Sequence, residues 1–564
     1  MKNSLKTCAF ILSICALLTA NASYKYSNDV ASRSNIESKS KLTKKATNKN
    51  TNELVIYNCA DYIDNELIEE FEKEYNCVVK YYEYDTNETM YNKLILQPEG
   101  TYDLICTSEY MLQKMVRAGL VEPLNVKEEC PVYAQYASKE VSKKLDTMSI
   151  DDSSTLADYV AGYMWGTLGI IYDSNYGDTI KEDVKSWDIF WNSKYKNVIS
   201  IKNSMRDTFV VGLMHAYQNI EKKENLTDDE SEFVASVNRA KESANSEQEV
   251  IQNIFDMVIN EEKYNSIVEV VKEELISLKQ NIFGFEVDSG KNDIITGKIK
   301  MNLAWSGDAV FSISTALDET DKILEYYVPD DGSNVWYDGW CLPNGSNRDL
   351  ATKFIDFLSI PENASRNMEY IGYTPFIACD EVFDYASRTY GLSEYNEDTT
   401  YYGPYHEEEE DYDVDGNYVV YNGKYYQAFV TDDEFSNILP TDTTHWVEVN
   451  AEDLSLSDPY DLNFFFKNDE STRDYVIYPF EEMRNSLETQ YPSSEVLDRC
   501  AVMKDFEARN DDVIIMWGQL RAYTSMTVYY IILATVAFAA ITFGVVTFIQ
   551  KRKSIRNRRK SLKN

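Results

Sequence analysis

The chain has 564 residues, enough for two or three domains with sizeable cores. Its formal net charge is −39, with 94 acidic residues against 55 basic ones, which argues against nucleic acid as a partner and suits either a cationic ligand or a solvated acidic surface. Only three His occur, far apart at His215, His406 and His445, which argues against catalytic triads and His-based metal sites.

Lys2 and Lys6 precede the apolar run 8–20, and Ala20-Asn21-Ala22 follows it, so 1–22 reads as a secretory signal. The run is short for a span, which favours cleavage over an uncleaved anchor. Residues 23–52 are rich in Ser, Asn and Lys and read as a disordered stalk. Three short apolar runs, 54–57, 78–82 and 102–106, then read as strands. Leu67, Ile68, Phe71 and Tyr75 recur between them at helical spacing, and Met111, Met115 and Leu120 follow the third. This alternation predicts a parallel sheet covered by helices. Each strand ends in a polar cluster that opens the next helix, and Asn87 and Ser108 are good N-cap types. Open parallel sheets bind ligands at the carboxyl ends of their strands, which here form an acidic, aromatic rim.

Further on, 390–468 is rich in Tyr and acidic residues. Within it, 411–416 (DYDVDG) fits the start of a calcium loop, but Asn422 stands where the bidentate Glu belongs, so a solvated acidic loop is preferred. Tyr421 and Tyr425 flank Asn422-Gly423, a type I′ hairpin signal. The uncharged run 522–550 includes a stretch, 526–549, long enough to cross a bilayer, and 551–564 carries eight Lys and Arg with no acid. The positive-inside rule then makes the tail cytoplasmic and everything before residue 522 external. Seven Cys remain beyond the signal, an odd number without paired spacing, which is not a disulfide framework. No nucleophile–base pair, phosphate loop or metal cluster is visible, so the chain reads as a non-enzyme without a cofactor or a metal.

Several motifs fall in order at fitting spacing: Tyr57-Asn58-x-x-x-Tyr62, Asp85-Thr86-Asn87-Glu88-Thr89-Met90-Tyr91, Tyr102-Asp103-Leu104 and Ser108-x-Tyr110. They resemble the amino-terminal lobe of the spermidine/putrescine-binding proteins of bacterial polyamine ABC importers. Later runs fit the same family: the Tyr163-x-Trp165-Gly166 crossover, the 187–195 helix, the 300–309 strand and loop, Trp336-x-Asp338, and Ile371-Gly372-Tyr373-Thr374-Pro375. The resemblance covers about 53–380 and 475–521. It implies an α/β, two-lobed periplasmic-binding-protein-like (type II) fold with parallel and mixed sheets, to which the residues add one C-terminal transmembrane helix and a small β-rich insert. Lobe 1 is expected from 53–163 with 338–380, and lobe 2 from 164–337 with 470–521. The insert is expected at 392–468, the transmembrane helix at 524–550 and the basic tail at 551–564. Residues 219–285 exceed the family's usual length and predict an inserted helical pair, and 497–521 predicts a long helix.

Carried over position by position, the resemblance implies a ligand site of Asp61, Tyr62, Ser108, Tyr110, Asp207, Trp305, Trp336, Asp338 and Tyr373. Ser108 is equally readable as a plain helix cap. Asp61 and Asp207 shorten a Glu, Cys59 replaces a pocket-wall Trp, Ala60 a hydroxyl residue and Ser204 an Asp, and a contact from the last helix is lost near Met503. The implied role is an extracellular solute-binding protein that delivers a polyamine to ABC permease subunits, held to the membrane by its C-terminal helix. Two alternatives stay open: another small cationic ligand, or a surface glycan-binding or adhesion receptor. In the second, the 416–446 region, which resembles chitinase-type carbohydrate-binding modules, would do the work; a bare structural hairpin module is the simpler reading of that region.

Overall fold

The computed structural model describes residues 51–396, 401–402, 418–428, 434–435, 437–468, 473–523 and 526–561. The signal, nearly all of the stalk and the calcium-type loop 411–416 lie outside them. Ala46–Leu520 form one compact unit, and Arg521–Asn564 fall in another.

The three apolar runs form strands β1 (Glu53–Cys59), β2 (Val78–Tyr84) and β3 (Leu104–Ser108), with amphipathic helices Asn65–Tyr75 and Asn87–Leu94 between them. The uniformly apolar run Val160–Asp173 is β4, buried along its whole length. Ile199–Lys202 is β5, Gly284–Glu286 β6, Met301–Trp305 β7, Leu324–Tyr327 β8 and Ser333–Pro343 β9. In the main sheet these lie in the order β2-β1-β3-β9-β4-β7-β5-β6, with β8 pairing β4. β1 runs parallel to β2 and β3, and β5 runs parallel to β6 and β7. The long strands β9 and β4 join these two parallel groups through antiparallel pairings. The β9–β4 register shifts between Tyr337 and Gly339, where Tyr163 and Met164 of β4 stand opposite the single residue Asp338, a bulge in β4.

Two apolar clusters flank this sheet. One gathers β1, β3 and the β4 segment Val160 to Trp165; the other takes Leu168, Ile170 and Tyr172 of β4, with β5 and β7. Trp305 packs against both. Between β5 and β6, after the helix Met205–Asn219, stand three helices, Asp228–Glu242, Glu247–Asn260 and Tyr264–Lys279, one more than the expected pair. The expected long helix over 497–521 is broken: Cys500 and Ala501 pair with β9, and a helix resumes only at Asn510–Ala522. Edge pairing to Ser333 and Asn334 overrides the helical spacing there.

A second sheet has the order Trp446–Val449, Lys424–Ala428, Tyr418–Tyr421, Gly391–Glu394, Val476–Pro479, Tyr460–Asp461. Its hairpin turns on Asn422 (φ 52°) and Gly423 (φ 72°), the two positive φ angles that a type I′ turn requires. Trp446, 1% exposed, packs with Tyr395, Val419, Tyr426 and Ala428 in a small cluster of its own. By contrast Tyr460, Leu462, Phe465 and Phe466 join the first main cluster.

Among the described residues no helix is long and apolar enough to cross a membrane. The stretch expected to span is part of a 36-residue helix, Met526–Ser561, that runs on through Lys551, Arg552 and Lys553. The transmembrane expectation therefore finds no support in the fold, and the basic tail is helical as far as residue 561 instead of standing apart.

Candidate functional site

Three strands end on a polar or aromatic residue: Ser108 closes β3, Lys202 closes β5 and Trp305 closes β7, and because β3 runs opposite to β5 and β7 these ends approach one another along β9 and β4. A parallel strand leaves its last side chain beside the helix that follows, which is where ligands of such sheets sit. Asp338 enters from the antiparallel β9, directly opposite Ser108.

Around Asp338 the chain builds a hydroxyl and aromatic cage. The Tyr62 hydroxyl donates to Asp338 Oδ2 at 2.8 Å. The Tyr62 ring meets Tyr373 edge-on at 5.1 Å, and Tyr373 lies 5.7 Å from Trp336. Tyr62, Trp336, Tyr373 and Asp207 are each 8% exposed or less. Burial pushes the Asp338 carboxyl up to about 6, although the Ser108 and Tyr62 hydroxyls pull it back, and Asp207 adds to the rise. Among the described residues, Asp338 Oδ1 and Trp336 Nε1 are buried without a hydrogen-bond partner. A buried acceptor and a buried donor left open together are costly, at about 1–3 kcal/mol each, and more for a charged group.

Asn87 organises the other wall. Thr86 takes the helix N-cap, accepting from the Thr89 amide, which releases the Asn87 side chain. Its amide donates to Ser108 Oγ and to the Tyr110 hydroxyl, both at 3.1 Å, and its carbonyl accepts from Thr107 Oγ1. Tyr110 in turn donates to Glu88 at 3.0 Å. Ser108 stands at an N-cap position, but its hydroxyl makes no capping bond. Sequence reasoning used Asn87 only as a helix opener; the Asn-Glu pair following a strand was the available signal.

On the far side, Ser204 caps the helix Met205–Asn219 and accepts from the Asp207 amide, which sets Asp207 in the first helical turn. The Trp305 indole N–H donates to Asp207 Oδ2 at 3.1 Å. Burial raises the Asp207 carboxyl, and Ser204, Trp305 and Lys202 offset part of that rise. Arg206, next in sequence, turns the other way: its guanidinium stacks 3.9 Å over the Tyr110 ring and pairs with Asp505 at 3.5 Å.

Beneath Trp305 lies a buried ion cluster that the sequence did not reveal. The Lys202 ammonium sits 4.4 Å from the Trp305 ring centroid, 2.8 Å from Asp308 and 3.2 Å from Glu286. Asp308 also accepts from the Tyr373 hydroxyl at 2.7 Å, which ties the cluster to the Asp338 cage. Burial acts to lower the Lys202 ammonium, but the Asp308 and Glu286 charges outweigh it and hold it above its usual range. Burial likewise acts to raise Asp308, and Lys202 and Lys291 bring it below the usual carboxylate range.

Of the nine expected site residues, the structure gathers Tyr62, Ser108, Tyr110, Asp207, Trp305, Trp336, Asp338 and Tyr373 into these linked groups. Asp61 stands outside them, exposed in a left-handed turn (φ 51°). Among the described residues no group of three or more His, Cys, Asp or Glu is placed to hold a metal ion.

Residues 66–379 match the bacterial extracellular solute-binding protein family. The spermidine/putrescine-binding periplasmic protein of Salmonella typhimurium is 27% identical over 327 residues, 58% of this chain and 78% of that protein. A putrescine-binding periplasmic protein of Pseudomonas aeruginosa is 26% identical over 320 residues, 55% of this chain and 74% of its own. Among solved structures, the spermidine/putrescine ABC transporter substrate-binding protein of Streptococcus pneumoniae shares 28% identity, covers 58% of this chain and 83% of that one, and gives a TM-score of 0.40. The family match spans more than half of the 564 residues and takes in every strand from β2 to β9, so the chain belongs to the bacterial extracellular solute-binding proteins, a family of binders and not of enzymes.

Proposed function

We propose that this protein captures a short polyamine and hands it to the permease of an ABC importer. The observation that carries the reading is Asp338: a buried carboxylate, mostly ionised at neutral pH, with one oxygen held by Tyr62 and the other left open beside aromatic faces. A buried charge of this kind calls for a partner of opposite sign, and an ammonium supplies both charge and hydrogen bonds. Trp336 and Tyr373 offer surfaces for the methylenes, and Asp207 supplies a second carboxylate. Charge-assisted hydrogen bonds contribute about 1.5–3 kcal/mol each and cation–π contacts about 0.5–2 kcal/mol. Two of each contribute about 4–10 kcal/mol before the cost of association, so burial of the ligand's methylenes has to supply the remainder of the ~8 kcal/mol of a micromolar site. The named polyamine binders among the relatives support the same ligand class. The site residues are nearly closed off, so entry requires the two halves of the sheet to part, the hinge motion by which such proteins load.

The finer reading, attachment to the membrane through the C-terminal stretch with the rest outside, rests on the uncharged 522–550 followed by a basic tail. The sugar-binding alternative loses its main support, because Trp446 is buried in the small cluster instead of exposed for stacking. Titration calorimetry of the purified full-length chain with putrescine and spermidine tests the ligand class: heat with micromolar affinity is expected, and no heat with either sinks it. Protease added to intact cells tests topology, with release of a fragment reaching about residue 520 expected and full protection contradicting it.

A further inference from the structure

We infer that Lys202 is a built-in ammonium that fills one cation position of the ligand site, which limits the ligand to two charged amines; this rests on the polyamine reading above. The Lys202 ammonium does what a ligand's amine would do. It lies over the Trp305 ring at 4.4 Å, while the indole N–H of the same ring is engaged with Asp207 at its edge. It donates to Asp308 at 2.8 Å, the carboxylate that also receives the Tyr373 hydroxyl of the aromatic cage. Lys202 is 0% exposed at the last position of β5, so the strand end delivers the charge directly to the cleft and the side chain has no route to solvent.

The charge inventory then decides how many amines can be matched. Asp308 and Glu286 are committed to Lys202, at 2.8 and 3.2 Å, and Lys291 adds a further cation 3.8 Å from Asp308. Of the other carboxylates around the site, Glu109 accepts from the Tyr337 amide and Glu88 accepts from the Tyr110 hydroxyl, whose ring lies under the Arg206 guanidinium, so two remain for a ligand: Asp338, with its open Oδ1, and Asp207. A diamine can place one ammonium at each. A third ammonium finds no uncommitted carboxylate there and meets the like charge of Lys202 over the ring that would otherwise receive it. A triamine must therefore leave an amine unmatched or lose its proton, and either weakens binding. The Trp305 face, one of the two indole faces of the site, is spent on the protein itself.

The test is a calorimetric series on the full-length protein with putrescine, cadaverine, spermidine and spermine. The parent is expected to bind the diamines at least tenfold more tightly than spermidine. In Lys202→Met combined with Glu286→Gln, which removes the cation and one of its two counter-charges together, Asp308 keeps only Lys291 at 3.8 Å as a cationic neighbour and the preference for diamines should shrink at least tenfold or reverse. Equal or tighter binding of spermidine by the parent overturns the inference while leaving the polyamine reading intact. A folded double variant with an unchanged diamine-to-triamine ratio also overturns it. Should the double variant fail to fold, the parent series decides alone. If the parent gives no heat with any of the four, the polyamine reading falls and this inference with it.

Discussion

Asp338→Asn isolates the charge on which the ligand assignment depends. The substitution keeps the side-chain shape, and the Tyr62 hydroxyl can still donate to the remaining carbonyl oxygen in place of Asp338 Oδ2. What disappears is the negative charge and the open acceptor Oδ1. Removing one charge-assisted hydrogen bond costs about 1.5–3 kcal/mol, a roughly ten- to 150-fold weaker putrescine affinity at pH 7.5. The pH profile adds a second signature. Because burial raises the Asp338 carboxyl to about 6 without ligand, the charged form that binds a cation is present above that pH and lost as pH falls through it. At pH 5 only about a tenth of the parent is ionised there, so the parent's affinity should drop about tenfold between pH 7.5 and 5 through this group. Asp207, also raised by burial, adds its own dependence, and Asp338→Asn should remove only the step centred near 6. Calorimetry at four pH values measures both effects. Affinity within threefold of the parent at pH 7.5, or persistence of the step near 6, refutes the reasoning.

Burial pushes Glu109 up to about 8, partly offset by the Tyr337 amide, so its folded value lies above the ordinary 4.5 and its stabilising contribution, complete below about 4.5, is lost as pH rises through 8. Glu109→Gln should therefore flatten the decline of thermal stability between pH 5 and 8.5, and a melting-temperature profile parallel to the parent's would contradict this. At Gly307 an added Cβ would lie 2.3 Å from the Tyr373 ring, so Gly307→Ala should cost about 1–3 kcal/mol of stability and weaken putrescine binding at least tenfold by displacing that ring. Unchanged melting and binding would show that Tyr373 yields freely. Replacing 397–450 by a short Gly-Ser linker should leave binding within a few-fold, because the cluster around Trp446 is separate from the main ones. Extending the replacement to 392–468 removes Tyr460, Leu462, Phe465 and Phe466, each worth about 1.5–3 kcal/mol of burial, and should abolish folding as judged by circular dichroism.

The parts of the site that were legible in the sequence are those written in local runs. Trp336-x-Asp338 lies within one strand, Tyr62 just beyond another, and Ser108-x-Tyr110 at a strand–helix joint, so short local motifs carried the family resemblance that placed them. Lys202 was not legible, since a Lys at a strand end reads as solvated until Glu286 and Asp308, some 85 and 105 residues away in sequence, arrive beside it. Asn87 was seen but misread, because Thr86 takes the cap and leaves the amide for the site. The strand alternation was legible in the first third of the chain, whereas the short pairing at Cys500 and Ala501 was hidden by helical spacing and won through its partner strand β9. The C-terminal run shows the opposite case: its composition announces a bilayer span, and the helix that carries it continues into the basic tail.

The bulge in β4, at Tyr163 and Met164, lies opposite the residue whose charge the ligand would neutralise. A bulged position interrupts the ladder and lets a strand bend and twist more than its neighbours do. β9 and β4 are also the strands that carry the sheet from one apolar cluster to the other. Asp338 thus faces the bulge across the ladder as well as lining the proposed binding surface. If the two halves of the sheet turn about this joint as the proposed function requires, filling the open oxygen would stiffen it, so that sensing the cargo and setting the angle would be one local event and need no relay between distant parts.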